Sequence, residues 1–169
     1  MPNWCFNRVT CTGTSGDIAN LIDYVHENDN DFSFNAVMAM PSELREVTSP
    51  VKAFKTKAEV ELYNAKHKNV EFGAGKAITH AKHRFLIKKY GHADWYNWSI
   101  ENWGCKWDTH ADGVDMSDNV DNGCVSYRFD TPWGPPEGIY KKLHETFPEV
   151  DISWFYDEPG MEFSGYLPD

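Results

Sequence analysis

Several features that would declare a function in advance are scarce or missing in this chain. Its 169 residues hold only four cysteines, at positions 5, 11, 105 and 124, and no two form a C-x-x-C pair. In a reducing cytosol the four thiols read as small buried hydrophobes rather than a disulfide framework. Long hydrophobic runs are missing: stretches such as Phe85 to Ile87 fall far short of a membrane span. Met1-Pro2-Asn3-Trp4 lacks a basic-then-apolar leader pattern, so a cytoplasmic location and no membrane partner are expected. Positive charge is the minority sign, with 16 Lys and Arg against 26 Asp and Glu, giving a net charge of -10. That balance repels nucleic acid, which is not expected as a direct ligand, and favours a basic protein partner. No internal repeat is present, and no Ser-His-Asp or Cys-His grouping has the local spacing of an activated nucleophile.

Apolar material is plentiful: 41% of residues are hydrophobic and 15% aromatic, enough to offset the entropy of ordering one core or one core plus an insertion. Trp4 to Thr12 alternates, with Cys5, Asn7, Val9 and Cys11 on one face and Trp4, Phe6, Arg8 and Thr10 on the other, as a half-buried strand requires. Thr14 and Ser15 then cap a helix whose face is Ile18, Leu21, Ile22 and Val25. Phe32 to Met38 is expected to be extended, with a turn or short helix from Pro41. Thr56 and Glu59 form a capping-box pattern, and Ile78, Ala81, Phe85 and Leu86 make a second helical face that ends at Gly91.

Asp94 is placed to cap a short helix holding Trp95, Trp98 and Ile100, and Gly104 to release the chain into a strand through Cys105, Lys106 and Trp107. Asp112 to Asn122 reads as a polar hairpin loop. A strand with Val125, Tyr127 and Phe129 on one face follows, then a helix after Pro135 and Pro136 with Ile139, Tyr140, Leu143 and Phe147 on its apolar side. Val150 to Tyr156 alternates again, Glu158-Pro159-Gly160 turns, and Met161, Phe163 and Gly165 return. The expected fold is one α+β domain over 1–169: a ferredoxin-like antiparallel sheet, β-α-β-β-α-β plus a C-terminal hairpin strand. A mostly helical segment, 32–103, is inserted after the first βα unit.

Trp95-Tyr96-Asn97-Trp98 and Asn102-Trp103-Gly104-Cys105-Lys106-Trp107-Asp108 resemble the signature of the Api92-like family, also called the YubB or DUF1281 ferredoxin-like domain family. Met1 to Cys5 with Asn7, Met40 to Leu44, Phe129 to Trp133 with Pro135-Pro136, and Tyr156 to Gly160 extend the likeness over nearly the whole chain. The resemblance implies a home in bacteriophages, plasmids and their bacterial hosts, with relatives in oomycetes. It brings no established catalytic residue. Cys105 stands where threonine is common in that family, so a role needing a hydroxyl there does not carry over.

Candidate binding residues come from two groups. Trp95, Trp98, Asn102, Trp103, Lys106 and Trp107 have the composition of a stacking surface with amides for polar edges, and equally that of a buried connector. Lys82, Arg84 and Lys88 belong to a basic stripe over 76–89 that suits a phosphate or an acidic partner, and equally a solvated helix face. No metal site is assigned: His80 and His83 lack a second pair, Cys105 and His110 do likewise, and Asp112, Asp115, Asp118 and Asp121 miss the spacing of a calcium loop. Phe72 to Lys76 fails the phosphate-loop pattern, since its first glycine would be Val70 and the residue after the lysine is Ala77. Neither catalytic residues nor cofactors are expected. The expected function is that of a non-enzymatic interaction protein of a phage or plasmid, binding and inhibiting a host or defence protein through an acidic face that imitates nucleic acid. The competing expectation is a small-ligand or nucleotide-binding module using 95–107 and the basic helix.

Overall fold

The structure is a computed structural model that describes residues 2–67 and 75–168. In chain order its elements are β1 (Trp4–Thr12), α1 (Ser15–Val25), α2 (Phe34–Val37), α3 (Ser42–Arg45), β2 (Ala53–Phe54), α4 (Lys57–Lys66), β3 (Ile78–Thr79) and α5 (His80–Tyr90). They continue with α6 (Trp95–Asn102), β4 (Asp115–Asn119), β5 (Cys124–Pro132), α7 (Glu137–Thr146), β6 (Asp151–Glu158) and β7 (Phe163–Leu167). This is an α+β protein. Its chain divides into two compact units, one made of 1–39 with 101–169, the other of 40–100.

The first unit is built on a five-stranded sheet in the order β4-β5-β1-β6-β7, with every pairing antiparallel. β1 lies at the centre because its inward residues Cys5, Asn7, Val9 and Cys11 are all buried and pair with inward residues of both neighbours. Thr14 caps α1 by accepting the Asp17 amide at 3.2 Å, and Ile18, Leu21 and Val25 turn to the core. Ile139, Tyr140 and Leu143 do the same from α7. At the middle of this core the Phe32 ring lies 4.8 Å from Tyr127, 5.1 Å from Phe129 and 5.9 Å from Trp154, so a loop residue joins three strand aromatics.

Three local expectations are corrected here. Phe34–Val37 is a helical turn rather than extended chain, because Ser33 and the Asp108 carboxylate satisfy its first amides. Cys105 to Trp107 is a series of bends and not a strand. Its place in the sheet is taken by β4, inside the stretch expected to be a loop, where backbone pairing with β5 organises a segment whose side chains carry no apolar alternation.

The 40–100 unit is organised by short pieces. Thr56 and Glu59 form the full capping box of α4, and α5 starts on a Thr79 cap and ends at Gly91, whose φ of 78° is the left-handed conformation that terminates helices. Ile78 pairs with Ala53 in a parallel bridge between β2 and β3 instead of opening the helix. Phe72, Gly73 and Ala74, the first part of the stretch tested as a phosphate loop, lie outside the described residues. No helix among the described residues is long and apolar enough to cross a membrane.

Candidate functional site

The helices and the Phe32 cluster cover one face of the sheet, and the other face is open. Register places Trp4, Phe6 and Arg8 of β1 on it, with Asp130 and Arg128 of β5 on one side and Asp157 and Phe155 of β6 on the other. Tyr166 of β7 lies opposite Phe155, and their rings sit 5.3 Å apart. The Arg8 guanidinium is 5.5 Å above the Phe155 ring. Large aromatics ordinarily bury themselves, yet Trp4 is 48% exposed, Phe6 38% and Tyr166 55%. They form a row of rings on a water-facing surface, outside the core.

At the end of this row lies a cleft of about 210 Å³ lined by Trp4, Trp107, Thr109, His110, Asp130 and Pro132, among others. The Trp4 and Trp107 ring centroids are 6.4 Å apart and tilted by 37°. Lys106 Nζ sits 4.2 Å from the Trp107 ring centroid, a cation held on an indole face. Asp108 also lines the cleft, but its carboxylate is committed: it accepts the Phe34 amide at 2.6 Å, the Asn35 amide at 3.0 Å and the Ser33 hydroxyl at 3.0 Å. The Asp130 carboxylate is exposed and makes no hydrogen bond or ion pair among the described residues.

The tryptophan-rich segment therefore divides. Trp103 is buried, donates Nε1 to the Met38 carbonyl at 2.9 Å and packs edge-on against Phe34. Asn102 is half-buried beside it in sequence, and its carbonyl lies against Gly138, where an added Cβ would come within 1.8 Å. Trp98 is buried and Trp95 half-buried in the 40–100 unit, while Trp107 lines the cleft and Lys106 lies over the Trp107 ring. Lys82, Arg84 and Lys88 stand exposed on α5, separate from that cleft's lining. The alternation of β1 puts Trp4, Phe6 and Arg8 on one face without marking them as a site; the available signal is a strand face carrying two rings and a cation.

Chemically reactive candidates are quiet. Burial pushes the Cys105 thiol up, and its Sγ donates to the Trp107 carbonyl at 3.3 Å, so it is held as a thiol. Burial likewise pushes Cys5 up to about 11 and Cys11 up to about 12. Among the described residues no group of three or more His, Cys, Asp or Glu is placed to hold a metal ion. Asp115 and Asp118 cannot converge because they pair with Arg128 and Val125, residues on opposite faces of β5, and Asp115 lies 3.6 Å from Arg128.

Charge is segregated by unit. Residues 1–39 and 101–169 carry 20 acidic and 5 basic side chains, a balance of -15, whereas 40–100 carry 6 acidic and 11 basic, a balance of +5. The open sheet face thus belongs to a strongly negative body, whose field attracts cations and repels anions.

Comparison with known proteins adds a likeness in fold and a match over the C-terminal part. No curated protein matches the chain. Among solved structures it is similar to the crystal structure of protein Api92 from Yersinia pseudotuberculosis, at 13% identity over 98% of this chain and 93% of that one, with a TM-score of 0.52. At that identity the likeness speaks for the fold alone. Residues 102–167, which hold β4 to β7 and α7, match the family model of the ferredoxin-like domain in Api92-like protein. Residues 102–167 thus match the ferredoxin-like domain of Api92-like (DUF1281) protein, and the chain as a whole is similar in fold to Api92.

Proposed function

We propose that this chain is a non-enzymatic interaction protein of a phage or plasmid, acting in the bacterial cytoplasm, that binds and so inhibits a host or defence protein through the open face of its sheet. One observation carries the reading: Trp4, Phe6 and Tyr166 remain exposed on one sheet face of a unit whose charge balance is -15. Aromatics supply contact energy at low entropic cost, and the surrounding carboxylates steer a basic, nucleic-acid-binding partner by imitating phosphates. The fold reading behind it takes β1-α1-β4-β5-α7-β6 as the two interleaved βαβ units of a ferredoxin-like domain, β7 as an added hairpin strand and 32–103 as an insertion.

The double variant Phe6→Thr/Tyr166→Thr tests it. Both positions point to water, so the strands keep β-compatible residues and the core is untouched. Affinity capture from host lysate is expected to yield a saturable protein partner with the native chain, released by salt, and to lose it with the variant. Capture that is equal for both chains, or no saturable partner for the native chain, would remove the proposal.

A second reading rests on the 40–100 unit, where a cleft of about 500 Å³ is lined by Lys57, Lys76, Lys82, Asn64 and Thr79 and suits a small anion such as a nucleotide. Glu43 and Glu46 line the same cleft, and Lys76 is already paired with Glu46 at 2.8 Å, which puts this reading second. Thermal-shift measurement with nucleotides tests it: a concentration-dependent rise in Tm supports it, and none at millimolar ligand removes it.

A further inference from the structure

We infer that the cleft beside Trp4 and Trp107 receives the guanidinium of an arginine side chain presented by the partner, an inference that rests on the docking role proposed above. Size is the first argument. At about 210 Å³ the cleft is smaller than the roughly 300–1,000 Å³ of small-molecule sites, so it suits one side chain of a larger partner.

The lining chooses the chemistry. Two indoles border the cleft, and the indole face is the strongest aromatic attractor of cations. The molecule already displays this preference: Lys106 Nζ lies 4.2 Å from the Trp107 ring centroid. Of the two carboxylates at the cleft, Asp108 is consumed by the amides of Phe34 and Asn35, which leaves Asp130 as an uncommitted acceptor at the rim. A cation that stacks on an indole and also meets a carboxylate edge is better supplied by the planar, weakly hydrated guanidinium than by a lysine ammonium. The charge balance of -15 over the surrounding unit raises the local concentration of such a group.

The test uses the full chain and a defined probe, the peptide acetyl-Gly-Arg-Gly-amide, with its citrulline counterpart as an uncharged isostere. The indole N–H signals of Trp4 and Trp107 are followed by nuclear magnetic resonance, assigned through Trp4→Phe and Trp107→Phe. Saturable shifts of these two signals with the arginine peptide, absent with citrulline, are expected. Asp130→Asn should weaken the arginine response about tenfold while the buried Trp154 signal stays in place and reports an intact core. Unmoved Trp4 and Trp107 signals, or equal responses to arginine and citrulline, overturn the inference. Because this probe needs no partner, and the docking test alters Phe6 and Tyr166 outside the cleft lining, the two readings fail separately.

Discussion

Trp154 donates its indole Nε1 to the Asn7 side-chain oxygen at 3.0 Å, and this bond ties β6 to β1 inside the core. The amide of Asn7 in turn donates to the Cys5 carbonyl at 2.9 Å and to the Thr131 hydroxyl at 2.7 Å, and that hydroxyl donates to the Gly134 carbonyl at 2.8 Å. One asparagine thus links three neighbouring strands with every polar atom satisfied, which is the condition under which a buried polar group specifies a fold. Leucine is close to asparagine in size but offers no partner. Asn7→Leu should lower stability by about 2–4 kcal/mol, read as a reduced guanidinium chloride midpoint, since the indole N–H would be stranded in the core.

Tyr127 presents the opposite case. Its side chain is buried on β5, and its hydroxyl finds no hydrogen-bond partner among the described residues. Burial also pushes its ionisation up, so the group stays a neutral, unpaired dipole. Tyr127→Phe keeps the ring contact with Phe32 and removes the stranded hydroxyl. The variant should gain about 1 kcal/mol, seen as a higher unfolding midpoint, and an unchanged or lower midpoint would contradict this account.

Gly138 opens the first turn of α7 against the Asn102–Trp103 backbone and donates its amide to the Trp103 carbonyl at 3.1 Å. A Cβ there would stand 1.8 Å from the Asn102 carbonyl oxygen, so Gly138→Ala must separate the two segments. The expected cost is about 3 kcal/mol or more, with the buried fluorescence of Trp103 as a local reporter.

Acid should loosen the 40–100 unit through three glutamates. Hydrogen bonds from Tyr90 and then Lys89 hold Glu43 below its ordinary 4.5, Lys76 does the same for Glu46, and the Thr56 backbone and hydroxyl do so for Glu59. Groups that bind protons more weakly when folded stabilise the fold fully above the unfolded value, and that contribution disappears as pH falls through the lowered one. Amide exchange in α4 and α5 should therefore accelerate between about pH 5 and about pH 3 beyond the intrinsic trend. Glu59→Gln should flatten the response in α4, and equal pH profiles for both chains would count against the capping carboxylate as its source.

Much of the local structure was legible in the residues. The alternation of β1, the Thr14 cap, the Thr56–Glu59 box, the Gly91 stop and the apolar face of α7 all follow from short-range geometry, and each is found where its residues place it. The exchange between 105–107 and β4 was not legible. An edge strand with exposed Asp115, Ser117 and Asp118 carries no side-chain pattern and is held by backbone bonds to β5, while Cys105 and Trp107, apolar and alternating, serve a bend and a cleft.

The residues of β1 determined by themselves which side chains share a face, because a strand repeats every two residues. They could not determine which face is covered. One set offered Cys, Asn, Val and Cys and the other Trp, Phe and Arg, and composition alone favours burying the rings. Only the tertiary structure decided it: α1 and α7 close over the first set, where Asn7 meets Trp154 and Thr131, and the rings of Trp4 and Phe6 are left facing water.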